Sequence, residues 1–209
     1  DGATDASGAA TITVIVTDDG GTASGADVDA LTQTFTVIVS PVNDAPVFDD
    51  VAAVAVDEDS GISTVSVTGI SPGGGTDEAS QSVIFTATSS DTTIVPNPSV
   101  STSADTGTVI YAPTGEANGT VTITLTGTDT GLGTAPNANT LTKTFDITVN
   151  AVNDAPSFDV IADQVIDEDT AGGSVDITAV SVGGGDDEAA SQAVTFTATS
   201  SDPAIVPDP

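Results

Sequence analysis

The sequence contains no cysteine, histidine, methionine or tryptophan, and Lys143 is its single basic residue. Without cysteine, disulfides, zinc–thiolate sites and thiol chemistry are excluded. One lysine against 31 acidic residues gives a formal net charge of −30. This charge excludes nucleic acids and anionic membrane surfaces as partners, because binding them requires cationic side chains. We also expect no enzyme, since the usual catalytic bases are missing and each acidic pair recurs as a structural element would.

Long apolar runs are absent as well, and no stretch approaches the 18 residues of a membrane span. We therefore expect no membrane insertion. The chain starts at Asp1 without a signal peptide, and both ends look cut from a longer protein. The apolar residues that are present are mainly valine, isoleucine and alanine, beside many threonines and serines. β-Branched residues pack well on a pleated surface, so this composition predicts an all-β protein.

An internal repeat of about 110 residues runs through the whole sequence. The Val-Asn-Asp-Ala-Pro segment at 42–46 recurs at 152–156, and the Asp-Glu-Asp segment at 57–59 recurs at 167–169. The opening residues match the second half of the next unit. We therefore divide the chain into the C-terminal half of one repeat (1–46), a complete repeat (47–156) and the N-terminal half of the next (157–209). The two ends are complementary halves, so completion between chains is geometrically possible.

Strand patterns fill the complete repeat. Val121, Ile123 and Leu125 alternate with threonines, and Phe145 and Ile147 begin a similar alternation further along. A period of two residues indicates strands with one buried and one wet face. Turn signals rich in glycine, proline and asparagine separate these runs. About seven short strands in 110 residues is typical of an immunoglobulin-like β-sandwich.

The acidic residues gather in turns and at the boundaries between repeats, as at 43–44, 57–59 and 77–78 and at their counterparts in the next unit. Ca²⁺ takes six to eight oxygen ligands from carboxylates, asparagine side chains and backbone carbonyls. Acidic loops on both sides of a linker therefore favour a calcium site. The alternative is that these side chains only satisfy local backbone groups in turns.

The boundary motifs resemble those of a known family. Asp18-Asp19-Gly20 and its counterpart at 129–131, an alternating strand, and then Asn43-Asp44-Ala45-Pro46 look like the end of a cadherin repeat and its linker. Across its whole length the chain is similar to the cadherin-like, immunoglobulin-like tandem repeats of giant bacterial surface adhesins. That resemblance implies tandem β-sandwich units outside the cell, on the bacterial surface or secreted, with Ca²⁺ at the junctions between units.

The same resemblance implies particular ligands at each junction. The first junction would draw on the linker and the following unit, and the second on Glu58, the next linker and its following loop. In the two half-repeats, Asp18 is the counterpart of Asp129, and Glu168 is the counterpart of Glu58. The full set of expected metal ligands is Asp18, Asn43, Asp44, Glu58, Asp77, Asp129, Asn153, Asp154, Glu168 and Asp187.

These observations predict a structural stalk or fibre repeat, stiffened by calcium, whose partners are neighbouring repeats of the same chain or fibre. Adhesion to host or abiotic surfaces would then lie in other domains. The alternative is a ligand-binding module that recognises a glycan or a surface through its rows of outward threonines. Sugar binding usually uses aromatic platforms, and Tyr111 is the only tyrosine, which favours the spacer interpretation.

Overall fold

The computed structural model describes residues 4–18, 30–133 and 136–209, without the side chain of Asp186. Within these residues the regular secondary structure is almost entirely β, as the composition predicts. The elements are β1 (Gly8–Thr17), β2 (Ala30–Val39), β3 (Val54–Asp57), β4 (Ser63–Val67), β5 (Val83–Ser89), β6 (Ser99–Ser103), β7 (Thr106–Tyr111), β8 (Gly119–Asp129), β9 (Thr140–Asn150) and α1 (Asp186–Ser191). The short α1 does not have the length or hydropathy of a membrane span, nor does any other helix of the described part.

Strands β3 to β9 form a two-sheet sandwich between residues 54 and 150. One sheet has the order β3-β9-β8-β5 and the other β4-β7-β6. All neighbouring strands are antiparallel except β3 and β9, the first and last strands of the sandwich, which run parallel over four residues. Seven strands in two sheets confirm the predicted immunoglobulin-like β-sandwich. This sandwich lies inside the predicted unit 47–156, whose boundaries stay a prediction.

The core lies between the two sheets and is built by the predicted alternation. Val121, Ile123 and Leu125 of β8 are fully buried, and Ile147 of β9 is buried beside them. Tyr111 is buried among the core residues at the end of β7. Outward threonines of β8 and β9 form hydrogen bonds with each other across the strands. The pairs are Thr120–Thr148 and Thr126–Thr142.

The two half-repeats differ from the sandwich in how they are packed. β1 and β2 pair in the same antiparallel register as β8 and β9, with Ile12 opposite Phe35. Every residue of both strands is exposed. Beyond Asn150, the described residues form no strand, and the isolated bridge between Ser157 and Ser181 is the counterpart of the Val47–Ser71 bridge.

Candidate metal centre

At the start of each repeat, the linker, which is the Val-Asn-Asp-Ala-Pro segment at 42–46 or 152–156, lies beside a glycine-rich loop. In the complete repeat, Val47 and Ser71 exchange two backbone hydrogen bonds of 2.8 and 2.9 Å. In the following half-repeat, Ser157 and Ser181 make the same exchange at 3.1 and 2.9 Å. The bridge places the Asn-Asp-Ala-Pro segment next to the Gly-Gly-Gly loop, because each motif lies a few residues from one bridging partner. The same local arrangement therefore occurs twice.

One buried glutamate fixes each linker. Glu78 accepts the backbone N–H of Asp44, and its counterpart Glu188 accepts the N–H of Asp154 at 2.7 Å. The two glutamates are only 1% and 2% exposed. In each, the second carboxylate oxygen is buried and has no hydrogen-bond partner among the described residues. Burying a carboxylate oxygen without a hydrogen-bond donor costs free energy, and a bound cation would offset that cost.

The glycine loop leaves room for the carboxylates around it. A methyl group placed on Gly184 would lie 2.6 Å from Asp154 Oδ2, 2.7 Å from Glu116 Oε2 and 3.1 Å from Glu188 Oε2. Glu116 lies in the loop between β7 and β8, Asp154 in the linker and Glu188 in α1. Oδ2 of Asp154 is likewise buried and without a hydrogen-bond partner in the described part of the chain. Glycine is required here because a side chain would occupy the space between the acids.

Three carboxylates at this junction are close enough to share an ion. Oxygens of Asp59, Glu116 and Asp154 all lie within 4.8 Å of one another. Partial desolvation, followed by the negative charges of Asp154 and Asp59, raises the pKa of the Glu116 carboxyl above its ordinary value. After desolvation, the neighbouring charges of Asp154 and Asp59 contribute to this raised pKa because carboxylates close together disfavour one another's charged form. This cluster can hold a metal ion.

Glu58 borders the cluster from the complete repeat. It is 2% exposed and accepts the backbone N–H of Val152 at 2.8 Å, so it attaches the β3 end of the sandwich to the linker. Asn118 donates to its other oxygen at 3.4 Å. The charge of Glu58 contributes to the raised pKa of Glu116. Glu58 therefore lies beside the second linker, and its role as a metal ligand stays a prediction.

The first junction has a related arrangement, in which Asp5 stands in place of Glu116. The two residues are 111 positions apart and share a left-handed backbone, with φ of 55° and 60°. A methyl group on Gly74 would lie 2.8 Å from Asp5 Cγ, and one on Gly75 would lie 2.7 Å from Asp77 Oδ1. Asp5, Asp44 and Asp77 also line one shared cleft. Both junctions thus bring together acids from consecutive repeats.

Asn43 has a different environment from the carboxylates. Its side chain donates to Asp129 Oδ1 and to the carbonyl of Ala138, and it accepts from Gln81 at 2.7 Å. The linker is thereby attached to the loop between β8 and β9. Asp129 also accepts the N–H of Gly131 at 2.7 Å, and its Oδ2 is buried with no partner among the residues described. Whether Asn43 and Asp129 bind a metal stays a prediction.

The remaining predicted ligands divide between the junctions and the half-repeats. Asp187 Oδ1 is buried beside the glycine loop and has no hydrogen-bond partner in the described regions. Asn153 accepts from Gln192 at 2.9 Å, as Asn43 accepts from Gln81. Asp18 is exposed directly after β1, and Glu168 is exposed although its counterpart Glu58 is buried. The predicted set omitted Asp5, Asp59, Glu78, Glu116 and Glu188, for which the repeat spacing and the Asp-Glu doublets were the available signals.

The comparisons with known proteins give only distant likenesses. No family model matches the sequence, and no curated protein does. Among solved structures, the titin domains Z1Z2 in complex with telethonin match 54% of this chain and 51% of that one, at 19% identity and a TM-score of 0.36. Domains 4 and 5 of the S-layer protein SbsC match 68% of this chain and 59% of that one, at 18% identity and a TM-score of 0.30. This chain thus spans between half and three fifths of the structures it matches, and its fold assignment rests on its own strand topology.

Proposed function

We propose that this chain is part of an extracellular array of structural β-sandwich repeats whose junctions are stiffened by Ca²⁺. The observation that carries the proposal is the meeting of Glu116, Asp154 and Glu188 around Gly184, with buried oxygens of Asp154 and Glu188 that lack a donor among the described residues. The groups belong to one repeat, the linker and the next repeat. An ion bound there would couple the two repeats.

Charge makes a cation necessary at such a junction. Like-charged carboxylates close together destabilise the folded state unless an opposite charge neutralises them. Lys143, the one basic side chain in the sequence, is engaged elsewhere, donating to Asp50 at 2.6 Å and lying over the ring of Phe48. The neutralising charge at the junction must therefore come from solution.

The donor chemistry favours calcium among the common ions. All the candidate ligands are oxygens, and the chain has no cysteine or histidine for a zinc site. Mg²⁺ demands a small octahedral shell and gives up its water reluctantly, whereas Ca²⁺ accepts irregular shells of carboxylates and carbonyls. Extracellular modules bind Ca²⁺ with dissociation constants of about 10⁻⁴–10⁻³ M, which suits an environment with millimolar calcium.

The mechanical consequence is a switch from hinge to rod. A short linker between two negatively charged domains bends freely, and repulsion adds no fixed angle. An ion held by Glu116 on one side and Glu188 on the other removes local charge and fixes their relative position. Stiffness then follows ion concentration by mass action. An array of this kind serves as a stalk or fibre that holds other domains away from the cell surface.

Recognition of a glycan by this region draws less support from the structure. The outward threonines of β8 and β9 bond to each other, as in the pair Thr126–Thr142 at 3.0 Å. Tyr111, the single tyrosine, is buried in the core rather than exposed as a stacking platform.

The test compares thermal unfolding in chelator and in 10 mM Ca²⁺, followed by the fluorescence of Tyr111. With a dissociation constant in the range above, 10 mM ion adds about 1.4–2.7 kcal/mol. For a domain of about 100 residues this raises Tm by about 5–20 °C. Small-angle scattering of the same samples should show a longer and stiffer particle with Ca²⁺.

A matched pair of glycine variants locates the ion. Gly184→Ala introduces a methyl group among the three carboxylates and should abolish most of the rise in Tm that Ca²⁺ produces. Gly173→Ala is the control, because a methyl group there meets nothing within 4 Å, and it should keep the full response. An unchanged Tm and scattering curve in the unmodified protein with Ca²⁺ would refute the proposal.

A further inference from the structure

Asn118 stands directly before Gly119, where the loop after β7 leads into β8. It is the one asparagine of the sequence that is followed by glycine. The residue is half-buried, and its side chain donates to Glu58 Oε2 at 3.4 Å. A hydrogen bond of that length is weak, so it leaves the side-chain amide free to turn towards the backbone that follows.

Gly119 is required by the fold at this point. Its φ of 136° is one that other residues rarely adopt, and a methyl group there would lie 2.9 Å from Ile94 Cδ1. Because glycine has no side chain, its nitrogen is not shielded from the carbonyl carbon of the preceding asparagine side chain. The fold therefore keeps a dipeptide in which a backbone nitrogen can attack that carbon and close an imide ring.

We propose that Asn118 is a site of spontaneous deamidation, and that the product adds a carboxylate to the candidate metal centre. The Gly119 nitrogen gives up its proton and bonds to Cγ of Asn118, the bond from Cγ to Nδ2 breaks, and the side-chain nitrogen leaves with a proton as ammonia. Water then opens the imide. Attack at Cγ gives aspartate, and attack at the main-chain carbonyl carbon gives isoaspartate. The sum is asparagine and water to a free carboxylate and ammonia.

The new carboxylate would lie in a cleft between the complete repeat and the next. The cleft is lined by Glu116, Ala117, Asn118, Gly185 and Asp187. It therefore joins the loop that carries Glu116 to the start of α1, and it is open to the water that the reaction consumes. Deamidation would place one more negative charge among the acids already gathered there.

The consequence of this charge depends on whether a cation is bound. The amide of Asn118 donates to Glu58, which is 2% exposed, and a carboxylate in its place would repel that buried acid. With Ca²⁺ the same carboxylate is a further oxygen ligand, and the affinity of calcium sites rises with the charge of their ligands. Deamidation would thus make the junction weaker without calcium and stronger with it. This second step rests on the proposed function, whereas the modification itself does not.

Mass spectrometry of the aged protein tests the modification. The unmodified chain is incubated in chelator at mildly alkaline pH, which favours loss of the Gly119 proton. We expect the peptide that holds Asn118 to gain the mass of an exchange of NH₂ for OH. Asn97 should gain none, because the next residue is Pro98, which has no N–H. Absence of the gain at Asn118, or an equal gain at Asn97, would overturn the proposal.

Two charge variants test the effect on calcium. Asn118→Asp introduces the carboxylate at once, and Asn97→Asp adds the same charge to an exposed side chain that accepts from the Ser89 backbone and keeps that bond. Calorimetric titration should give Asn118→Asp a Ca²⁺ dissociation constant at least about threefold lower at one junction, and Asn97→Asp an unchanged one. Asn118→Asp should also lower Tm in chelator and raise it in Ca²⁺, relative to the unmodified chain. A merely structural role of Asn118 would lower Tm in both.

The outcomes separate this inference from the proposed function. If Ca²⁺ stabilises the unmodified chain but binds Asn118→Asp no more tightly, the inference alone is overturned. If neither chain responds to Ca²⁺, the proposed function fails, and the role of the new carboxylate fails with it. The mass measurement in chelator still decides in that case whether Asn118 is modified.

Discussion

Ile12 and Ile123 are the same residue type at equivalent positions of two repeats. They therefore allow a direct comparison of how much burial of an isoleucine contributes to the free energy of unfolding. Ile123 is completely buried in the sandwich, and Ile12 is partly exposed on the isolated hairpin. Replacing a buried isoleucine by alanine removes transfer free energy and leaves a cavity, at a cost of about 2–5 kcal/mol. The same replacement on the hairpin removes contacts only with its partner strand, and we expect a cost below about 0.5 kcal/mol to the sandwich.

The expected difference is large compared with the stability of such a domain. Native domains are stable by about 5–15 kcal/mol in total, so Ile123→Ala should lower the unfolding midpoint by about 10 °C or more. The assay is urea and thermal unfolding followed by Tyr111, which is buried in the sandwich and is the one tyrosine in a chain without tryptophan. The signal therefore reports the complete repeat alone. Equal destabilisation by Ile12→Ala and Ile123→Ala would refute the view that the sandwich folds independently of the hairpin.

Two further predictions concern the junctions. The raised pKa of Glu116 means that, in chelator, the folded state keeps this proton to a higher pH than the unfolded chain does. The free energy of unfolding should therefore fall as the pH rises from the ordinary glutamate range through the raised pKa. Glu116→Gln should remove that part of the pH dependence, and Ca²⁺ should reverse its sign because a metal ligand must be deprotonated. Asn43→Ala removes bonds to Asp129, Ala138 and Gln81 and should cost about 2–3 kcal/mol in urea unfolding. Its exposed counterpart Asn153→Ala should cost less than about 1 kcal/mol, and an equal cost for both would contradict the structural role assigned to Asn43.

Much of the fold follows from the sequence because local alternation and tertiary burial agree in the complete repeat. Val121, Ile123 and Leu125 alternate with threonine, and each is fully buried. The same alternation at Ile12 and Val14 gives an exposed strand, since burial depends on strands that the pattern of one segment does not contain. Periodicity therefore predicts which face is apolar, and only the neighbouring strands decide whether that face is covered.

The candidate metal centre was less predictable than the fold, for a reason that particular residues show. Asp44, Asp154 and Glu58 carry recognisable motifs, and the structure places them at the junctions. Glu116 stands alone in a turn between β7 and β8, where one acid has no local pattern to distinguish it from a solvated side chain. Its role depends on the left-handed turn that directs it towards Gly184, and on the linker that brings Asp154 to the same point. Pairs of residues from separate loops meet only after folding.

The parallel pairing of β3 with β9 has a consequence for the proposed array if it is placed under tension. These are the first and last strands of the sandwich, and they lie side by side over Val54–Asp57. A pull along the array draws them in opposite directions along their own axes, so the load falls on all the hydrogen bonds of that ladder together rather than one after another. The unit resists extension until the whole ladder slides, and its lifetime under load is set by the rate of that single event. The shortest strand pairing of the sandwich thus determines how much force each repeat of the proposed stalk should withstand.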